Sequence, residues 1–266
     1  LKPGDRLLAV ASGLFGEGFA DMARAIGAEA ELCAAPHDQT PDFKKVREAA
    51  LRFRPKVITA VHCETPSGTL TPCIKELGDI SREVGALFVV DFVSSAGATA
   101  VDVDENGIDI GLLGSQKVLS MTPSLSISTL SERAWKVIEE VRYSGYEAYL
   151  PWREVPAVHA MPYTHDWQAM AGLHVALSAI MEEGVEHAYD RHERAAALGR
   201  RRGREMGLRL FPLDEAVSSP SVTAFYVPDG WTWEKLDAAL RARGLALGGN
   251  YGSLAGRVFR VGHMGS

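Results

Sequence analysis

Short apolar runs alternate with amphipathic stretches through the first half of the chain, and this alternation constrains the fold more than any other feature. Each apolar run is too short for a helix and reads as a buried strand. The predicted strands cover residues 6–10, 28–33, 57–62, 86–91, 108–113 and 126–130. The predicted helices between them begin near residues 16, 41, 72 and 131, the second of them capped by Thr40. Strands that alternate with helices favour βαβ units, so we expect an α/β fold with a mostly parallel sheet sandwiched by helices.

The pattern changes after about residue 143. Two long helices are predicted over 166–183 and 186–206, followed by strands over 221–227 and 257–261 with a helix over 232–243 between them. This order predicts a smaller C-terminal α+β domain, with a large domain over 1–183 and the small one over 184–266. Five arginines of the second long helix are interpreted as a solvated face. They are Arg191, Arg194, Arg200, Arg201 and Arg202.

Two ionisable residues end neighbouring predicted strands. Asp91 closes the strand over 86–91, and Lys117 follows the strand over 108–113 in the run Gly-Ser-Gln-Lys. Taken singly, Lys117 could be a surface lysine and Asp91 a helix cap or turn residue. Together they match the two groups that pyridoxal phosphate needs, an amine that holds its aldehyde as a Schiff base and a carboxylate that keeps its ring nitrogen protonated. Open α/β sheets bind ligands at the carboxyl ends of their strands, so we predict a pyridoxal-phosphate site there.

Three motifs carry a resemblance to a known family. The runs V-D-F-V-S-S at 90–95, G-S-Q-K at 114–117 and F-R-V-G-H-M-G at 259–265 resemble those of class V, fold-type I aminotransferases. Within that class the chain is most similar to the alanine–glyoxylate, serine–pyruvate and pyridoxamine–pyruvate aminotransferases. The resemblance implies a pyridoxal-phosphate enzyme that moves an amino group from alanine or serine to glyoxylate or pyruvate, with Lys117 and Asp91 as catalytic residues.

The resemblance also assigns residues to the two faces and the polar edge of the cofactor. It implies that the ring of Phe15 stacks on the pyridine and that Val93 presses the opposite face. Thr65, in the turn His62–Gly68, is implied as a contact to the cofactor, and Gln116 as a hydrogen-bond donor to its phosphate. Phe15 could instead be a core residue, and His62 a core histidine bonded to backbone. Cys63 lies beside a strand end, with no evident basic group to make it a thiolate, which argues against a desulfurase.

The resemblance implies a role in substrate binding for one further residue and a role across a subunit boundary for another. Arg260 lies inside an apolar run, and its planar guanidinium suits a substrate carboxylate, although a structural salt bridge is the alternative. Thr164 is implied to reach the phosphate of the neighbouring subunit of a homodimer, although it could merely cap the helix over 166–183. The run Thr122-Pro123-Ser124 departs from the family's usual turn near the lysine, which bears on substrate preference.

Composition excludes several other classes of function. The 266 residues carry a net charge of −6, without a basic stripe, so nucleic acid and anionic membranes are poor partners. No apolar run is long enough to span a membrane. Cys33, Cys63 and Cys73 are odd in number and lack the spacing of a zinc site, which fits a reducing cytoplasm and no metal.

Two rival functions remain open from the sequence. One is an enzyme that uses free pyridoxamine as its substrate, and the other is a catalytically silent homologue that serves as a binding scaffold. The chain begins at Leu1 and stops soon after a predicted strand, and both ends read as cuts through a fold. The resemblance implies a preceding segment with a glycine-rich phosphate-binding turn and a following helical stretch.

Overall fold

The first half of the chain folds as alternating strands and helices, as the apolar pattern predicts. The structure is a computed structural model, and it describes residues 1–265. Its strands are β1 (Arg6–Ala11), β2 (Glu29–Ala34), β3 (Val57–Val61), β4 (Cys63–Glu64), β5 (Thr69–Leu70), β6 (Leu87–Asp91), β7 (Ile110–Gly114), β8 (Ser126–Leu130), β9 (Val222–Tyr226) and β10 (Val258–Gly262). Its helices are α1 (Leu14–Ala25), α2 (Phe43–Phe53), α3 (Ile74–Val84), α4 (Glu132–Val141), α5 (Val155–Val158), α6 (Trp167–Glu183), α7 (Val185–Glu205) and α8 (Trp233–Arg241).

Six strands form one sheet in the order β2-β1-β3-β6-β7-β8. All neighbouring pairs are parallel except β7 and β8, which run antiparallel. The α/β fold with a mostly parallel sheet is therefore confirmed. The register pairs Val61 with Asp91 and Asp91 with Leu112, so Asp91 lies in the middle of the sheet at its carboxyl edge.

Helices cover both faces of this sheet, because alternate residues along each strand point to opposite sides. On one face Leu8 and Val10 of β1 pack with buried residues of α2 and α3, whereas on the other face Leu7 and Ala9 pack against α1. Both faces of β1 are therefore buried, which is why the strand reads as a continuous apolar run rather than an alternating one.

A second, two-stranded sheet of antiparallel β9 and β10 forms the C-terminal part, with its own buried cluster. That cluster consists of Phe211, Ala224, Leu254 and Val258. The helices α6 and α7 meet at Gly184, whose φ of 90° is readily adopted only by glycine. The predicted boundary between residues 183 and 184 falls at this kink, and the division into two domains stays a prediction.

One prediction about a helix end and one alternative interpretation of Thr164 are wrong. Thr40 does not cap α2; the side chain of Asp42 accepts hydrogen bonds from the backbone N–H groups of Lys44 and Lys45 instead. Thr164 does not cap α6, because Asp166 does so by accepting a bond of 2.9 Å from the N–H of Ala169. In both cases an aspartate nearer the helix takes the place of a threonine.

Arg200 does not belong to a solvated face, which corrects the interpretation of the α7 arginines. Its side chain is only 5% exposed and forms ion pairs with Glu193 and Glu215. The guanidinium is buried because two carboxylates compensate the lost hydration, and Glu215 lies outside the helix, where helical periodicity carries no information about it.

The long helix α6 leaves most of its apolar side chains exposed, although its sequence predicts a helix with a buried face. Ala169 is the buried residue of this helix. Its exposed large side chains are Trp167, Met170, Val175, Leu177 and Met181. Within residues 1–265, no helix combines the length and the apolar character needed to cross a lipid bilayer.

Candidate active site

Asp91 ends β6 with one carboxylate oxygen engaged and the other available. Its Oδ1 accepts a hydrogen bond of 2.8 Å from the N–H of Val93, which fixes the carboxylate at the strand end. Its Oδ2 has no hydrogen-bond partner within residues 1–265. Burial raises the pKa of Asp91, and the Val93 amide and the charge of Lys117 act in the opposite direction. The carboxylate is thus poised to bind a cationic or N–H group.

Lys117 lies in the loop after β7, partly buried and near the carboxyl edge of the sheet. Burial lowers the pKa of its amine, and the charge of Arg260 lowers it further, whereas Cys63 and Asp91 raise it. Its Nζ forms no ion pair or hydrogen bond with any group in residues 1–265. Lys117 and Asp91 therefore influence each other electrostatically without forming an ion pair.

The loop that carries Lys117 is held by a single buried serine. The hydroxyl of Ser115 donates a hydrogen bond of 2.6 Å to the carbonyl of Thr122 and accepts one of 3.1 Å from the N–H of Leu125. The run Thr122-Pro123-Ser124, which departs from the family pattern, is thereby tied back to the start of the lysine loop. Gln116 is exposed, and its amide oxygen folds back so closely that a Cβ on Gly114 would lie 2.4 Å from it.

A compact turn after β3 presents Thr65 to the same region. The Thr65 hydroxyl forms a hydrogen bond with the hydroxyl of Ser94, which follows Asp91 by three residues. Gly68 closes this turn with φ of 65°, and its N–H donates to the carbonyl of Glu64 at 2.8 Å. A Cβ on Gly68 would lie 3.0 Å from the carbonyl oxygen of Val222, so glycine lets the turn pack on β9.

Glu64, which the sequence analysis did not single out, is the most deeply buried acid of the site. Its side chain is 0% exposed, and its two oxygens accept bonds from the N–H groups of Phe15 and Gly16 at 3.2 and 2.7 Å. Burial raises the pKa of Glu64 to about 7, against the lowering effect of those two amides. A Cβ on Gly13 would lie 2.7 Å from the Glu64 carboxyl carbon, so the start of α1 is shaped around this group.

An aromatic pair and an arginine lie beside Glu64. The ring of Phe15 is 42% exposed and meets the ring of Tyr251 edge-on, with centroids 6.2 Å apart. The Arg260 Cζ lies 5.6 Å from the Tyr251 ring centroid, and its Nε donates to the carbonyl of Gly249 at 2.9 Å. No carboxylate within residues 1–265 forms an ion pair with Arg260. The alternative of a structural salt bridge is therefore wrong for the described residues, and the Arg260 charge is held by the Gly249 carbonyl and the Tyr251 side chain without being neutralised.

Two predicted residues relate less directly to this centre. Val93 is partly buried and is bonded to Asp91 through its backbone. Thr164 is exposed two residues before the cap of α6, and no hydrogen bond joins it to another predicted site residue in residues 1–265.

His62 and Cys63 are buried and neutral. The Nδ1 of His62 forms a hydrogen bond of 2.9 Å with the Ser95 hydroxyl rather than with backbone, and burial lowers its pKa to about 4. Burial raises the pKa of Cys63 to about 11, and its thiol donates to the Ser219 hydroxyl at 3.1 Å. A thiol with that pKa stays protonated near neutral pH, which gives a physical reason against a desulfurase nucleophile.

The residues present fit pyridoxal phosphate. Among the described residues, one Asp91 oxygen and the partly desolvated Lys117 amine have no partner, and they suit a pyridinium N–H and an aldehyde respectively. The exposed ring of Phe15 offers an aromatic face. These three groups come from different elements, and the sheet edge and the Glu64 bonds bring them to one region.

Comparisons with known proteins agree with this geometry. The family model for class-V aminotransferases matches residues 1–258. An uncharacterized aminotransferase of Methanocaldococcus jannaschii is 36% identical over 272 residues, covering 100% of this chain and 70% of that protein. A pyridoxamine–pyruvate transaminase of Mesorhizobium japonicum is 31% identical, with 100% and 69% covered.

A solved structure of a related aminotransferase has the same fold as this chain. The crystal structure of an alanine–glyoxylate aminotransferase from Nostoc sp. superposes with a TM-score of 0.94 at 29% identity. The match covers 100% of this chain and 71% of that structure's chain. The chain therefore belongs to the class-V aminotransferases, a family of pyridoxal-phosphate-dependent transaminases with the fold-type-I architecture.

Proposed function

We propose that this protein moves the amino group of a small amino acid, alanine or serine, to a small 2-oxo acid, glyoxylate or pyruvate. Pyridoxal phosphate is the cofactor, held by Lys117 and Asp91. The relatives that support this substrate class are a pyridoxamine–pyruvate transaminase and an alanine–glyoxylate aminotransferase. The observation that carries the proposal is the pair of Asp91 and Lys117, which lie close enough to shift each other's pKa yet form no ion pair.

The two catalytic residues have different tasks. When bound, pyridoxal phosphate supplies a conjugated ring that withdraws electrons from the substrate's Cα. Lys117 would hold the cofactor's aldehyde, and as a free amine it would take the proton from the substrate's Cα and return it to the cofactor's C4′ carbon. Because burial and Arg260 lower its pKa, a larger fraction of the amine is unprotonated and able to take that proton. Asp91 keeps the ring nitrogen protonated.

Arg260 orients the substrate. Its planar fork binds the carboxylate through two hydrogen bonds, which fixes the Cα–H bond relative to the ring. Because no acid within residues 1–265 neutralises it, its charge is available to a carboxylate substrate. The same charge keeps the nearby amine of Lys117 less basic, so one residue serves both binding and proton transfer.

The remaining predicted residues hold the cofactor. Phe15 and Val93 lie against its two faces, and Thr65, fixed by its bond to Ser94, contacts its polar edge. Gln116 donates to the phosphate as a neutral group. We assign these four roles on the family resemblance together with the position of the residues at one edge of the sheet.

The active form is a homodimer in which Thr164 reaches the partner's phosphate. The exposed apolar side chains of α6, which begins three residues after Thr164, support this assembly because isolated chains rarely expose so many large apolar groups on one helix. A cytoplasmic location fits the three free cysteines, Cys33, Cys63 and Cys73.

The test is a panel of single amino acids mixed with the purified, cofactor-loaded protein. Each amino acid is scored by loss of the cofactor's visible absorbance and by the 2-oxo acid formed, in the absence of an acceptor. Alanine or serine should react fastest, and the protein should be yellow as purified. A colourless protein that converts added pyridoxamine and pyruvate would favour the free-vitamer function, and inertness toward all amino acids and vitamers would overturn both.

A further inference from the structure

A short segment of the C-terminal part, residues 248–252, joins three elements of the site. Gly248 and Arg260 exchange two backbone hydrogen bonds, of 2.7 and 3.1 Å. The side chain of Asn250 donates a bond of 2.7 Å to the carbonyl of Pro66, in the turn that carries Thr65. A Cβ on Gly252 would lie 3.1 Å from the side chain of Leu14, so the segment also packs on the start of α1.

Tyr251 belongs to this segment, and its ring contacts two of the proposed ligand-binding residues. One edge-on contact is with Phe15, and the Arg260 Cζ lies over the Tyr251 ring, 5.6 Å from its centroid. Yet the ring is 44% exposed, so core packing does not account for its position. An aromatic side chain that is only half covered, but held by Asn250 and Gly252 on either side, suits a positioning role.

We propose that Tyr251 is a positioning residue that fixes the plane of the Arg260 guanidinium for the substrate carboxylate. A guanidinium above an aromatic face is attracted by the ring's electron density, and this attraction restricts its rotation. The Gly249 carbonyl accepts a hydrogen bond of 2.9 Å from Nε, so the guanidinium is held at two points and its two Nη groups keep a fixed direction. A fork held in one plane loses less conformational entropy when it binds a carboxylate.

The contact with Phe15 gives this arrangement a second consequence. Tyr251 lies against both Phe15, which is proposed to stack on the cofactor, and Arg260. A substrate with its amine at the cofactor and its carboxylate at Arg260 therefore lies alongside Tyr251. The inference rests on the proposed function for the role of Arg260, and it adds that the affinity of Arg260 for carboxylates depends on Tyr251.

The experiment compares Tyr251→Leu with the wild-type holoenzyme on alanine and on ethylamine, which is alanine without its carboxylate. We expect KM for alanine to rise about 3- to 30-fold in Tyr251→Leu, the range that a lost cation–π contact allows. The reaction with ethylamine should not change. Tyr251→Phe keeps the ring but loses the hydrogen bond between the Tyr251 hydroxyl and Arg260, so it should restore only part of the alanine affinity.

A second readout does not depend on turnover. Binding of propionate, which is alanine without its amine, is measured on the apoprotein by ligand-observed NMR and should weaken in Tyr251→Leu by a similar factor. Tyr226→Leu is the matched control, because Arg209 stacks on Tyr226 at 3.8 Å elsewhere in the C-terminal part. That variant should leave propionate binding unchanged.

The outcomes separate this inference from the proposed function. If wild type reacts with alanine but Tyr251→Leu keeps its KM and its propionate affinity, Tyr251 does not position Arg260 and the proposed function stands. Equal losses for alanine and ethylamine would also overturn the inference, since they indicate a general disturbance of the site. If wild type reacts with no amino acid, the proposed function fails, and the propionate measurement still decides whether Tyr251 acts on Arg260.

Discussion

The carboxylate of Glu64 binds the backbone amide of Gly16 at 2.7 Å, across 48 residues of sequence. Through this bond, and a second one to the Phe15 amide, Glu64 of β4 fixes the first turn of α1. The helix N-terminus favours a negative charge there, whereas complete burial favours the neutral acid. Burial prevails, because the pKa of Glu64 is raised to about 7.

A pH dependence of stability follows from that pKa. The folded protein retains a proton on Glu64 up to about pH 7, whereas the unfolded chain releases it near the ordinary value of 4.5. The folded state binds more protons in that window, so the contribution of Glu64 to the free energy of unfolding falls as pH rises from about 4.5 to 7. The change amounts to about 3 kcal/mol at 1.36 kcal/mol per pKa unit.

Chemical denaturation at several pH values checks this prediction with Glu64→Gln. The difference in unfolding free energy between the variant and wild type should shift in favour of the variant by that amount between pH 4.5 and 7. Taking this difference removes the contribution of His62, whose lowered pKa makes stability fall as pH drops from 6.5 to about 4. Glu76→Gln, an exposed acid in the first turn of α3, should show no such shift. A pH-independent difference would mean that Glu64 is ionised throughout.

Asp91→Asn should bind pyridoxal phosphate but react slowly with alanine. The amide keeps the shape and can still accept the Val93 N–H bond, but it cannot hold the ring nitrogen in its protonated form. We expect the rate of the alanine half-reaction to fall at least about tenfold, the effect of losing one charge-assisted hydrogen bond. Stopped-flow absorbance of the loaded variant measures the rate. An unchanged rate would reduce Asp91 to a structural acid.

Arg260→Lys should weaken the binding of amino acids without unfolding the protein. Lysine keeps the charge but loses the planar fork and the bond to Gly249, so kcat/KM for alanine should fall about ten- to hundred-fold. Ethylamine should react as with wild type, and the unfolding free energy should change by about 1 kcal/mol or less, since no ion pair is broken. Arg209→Lys is the matched control. A variant that only loses stability, or whose reaction with ethylamine also slows, would show that Arg260 does not bind the substrate carboxylate.

The role of Thr164 across a subunit boundary can be tested by combining two variants in one dimer, each of which lacks a different residue of the site. Thr164→Ala homodimers should bind pyridoxal phosphate more weakly. In a mixed dimer with Lys117→Ala, one site has the intact lysine of one chain and the intact Thr164 of the other, and it should regain wild-type affinity. The cofactor's dissociation constant in purified mixed dimers is the readout. Mixed dimers that bind no better than Thr164→Ala homodimers would exclude a contribution from the partner.

The sequence was informative wherever a local pattern decides the structure. Apolar runs predicted the boundaries of the six strands of the central sheet to within about two residues. Asp91 and Lys117 were identified because ionisable groups at the ends of buried strands are unusual. Local patterns could not decide between Thr40 and Asp42 as a cap, because both are good capping residues. Nor could local patterns show that the buried Arg200 forms an ion pair with Glu215 or that Tyr251 contacts Phe15, since these partners are distant in sequence. Glu64 carried one usable signal, an acid in a turn of small residues directly after a buried strand.

The identity of the lysine that holds the cofactor is the most direct test of the whole account. Borohydride fixes an aldehyde cofactor to the amine that carries it, and peptide mass mapping then identifies the modified residue. We predict that Lys117 is modified in the wild-type protein and that Lys117→Ala neither retains the label nor converts alanine to pyruvate. Lys44→Ala, which removes an exposed lysine of α2, should behave as wild type in both respects. Label on another lysine, or turnover of alanine by Lys117→Ala without an added amine, would contradict the account.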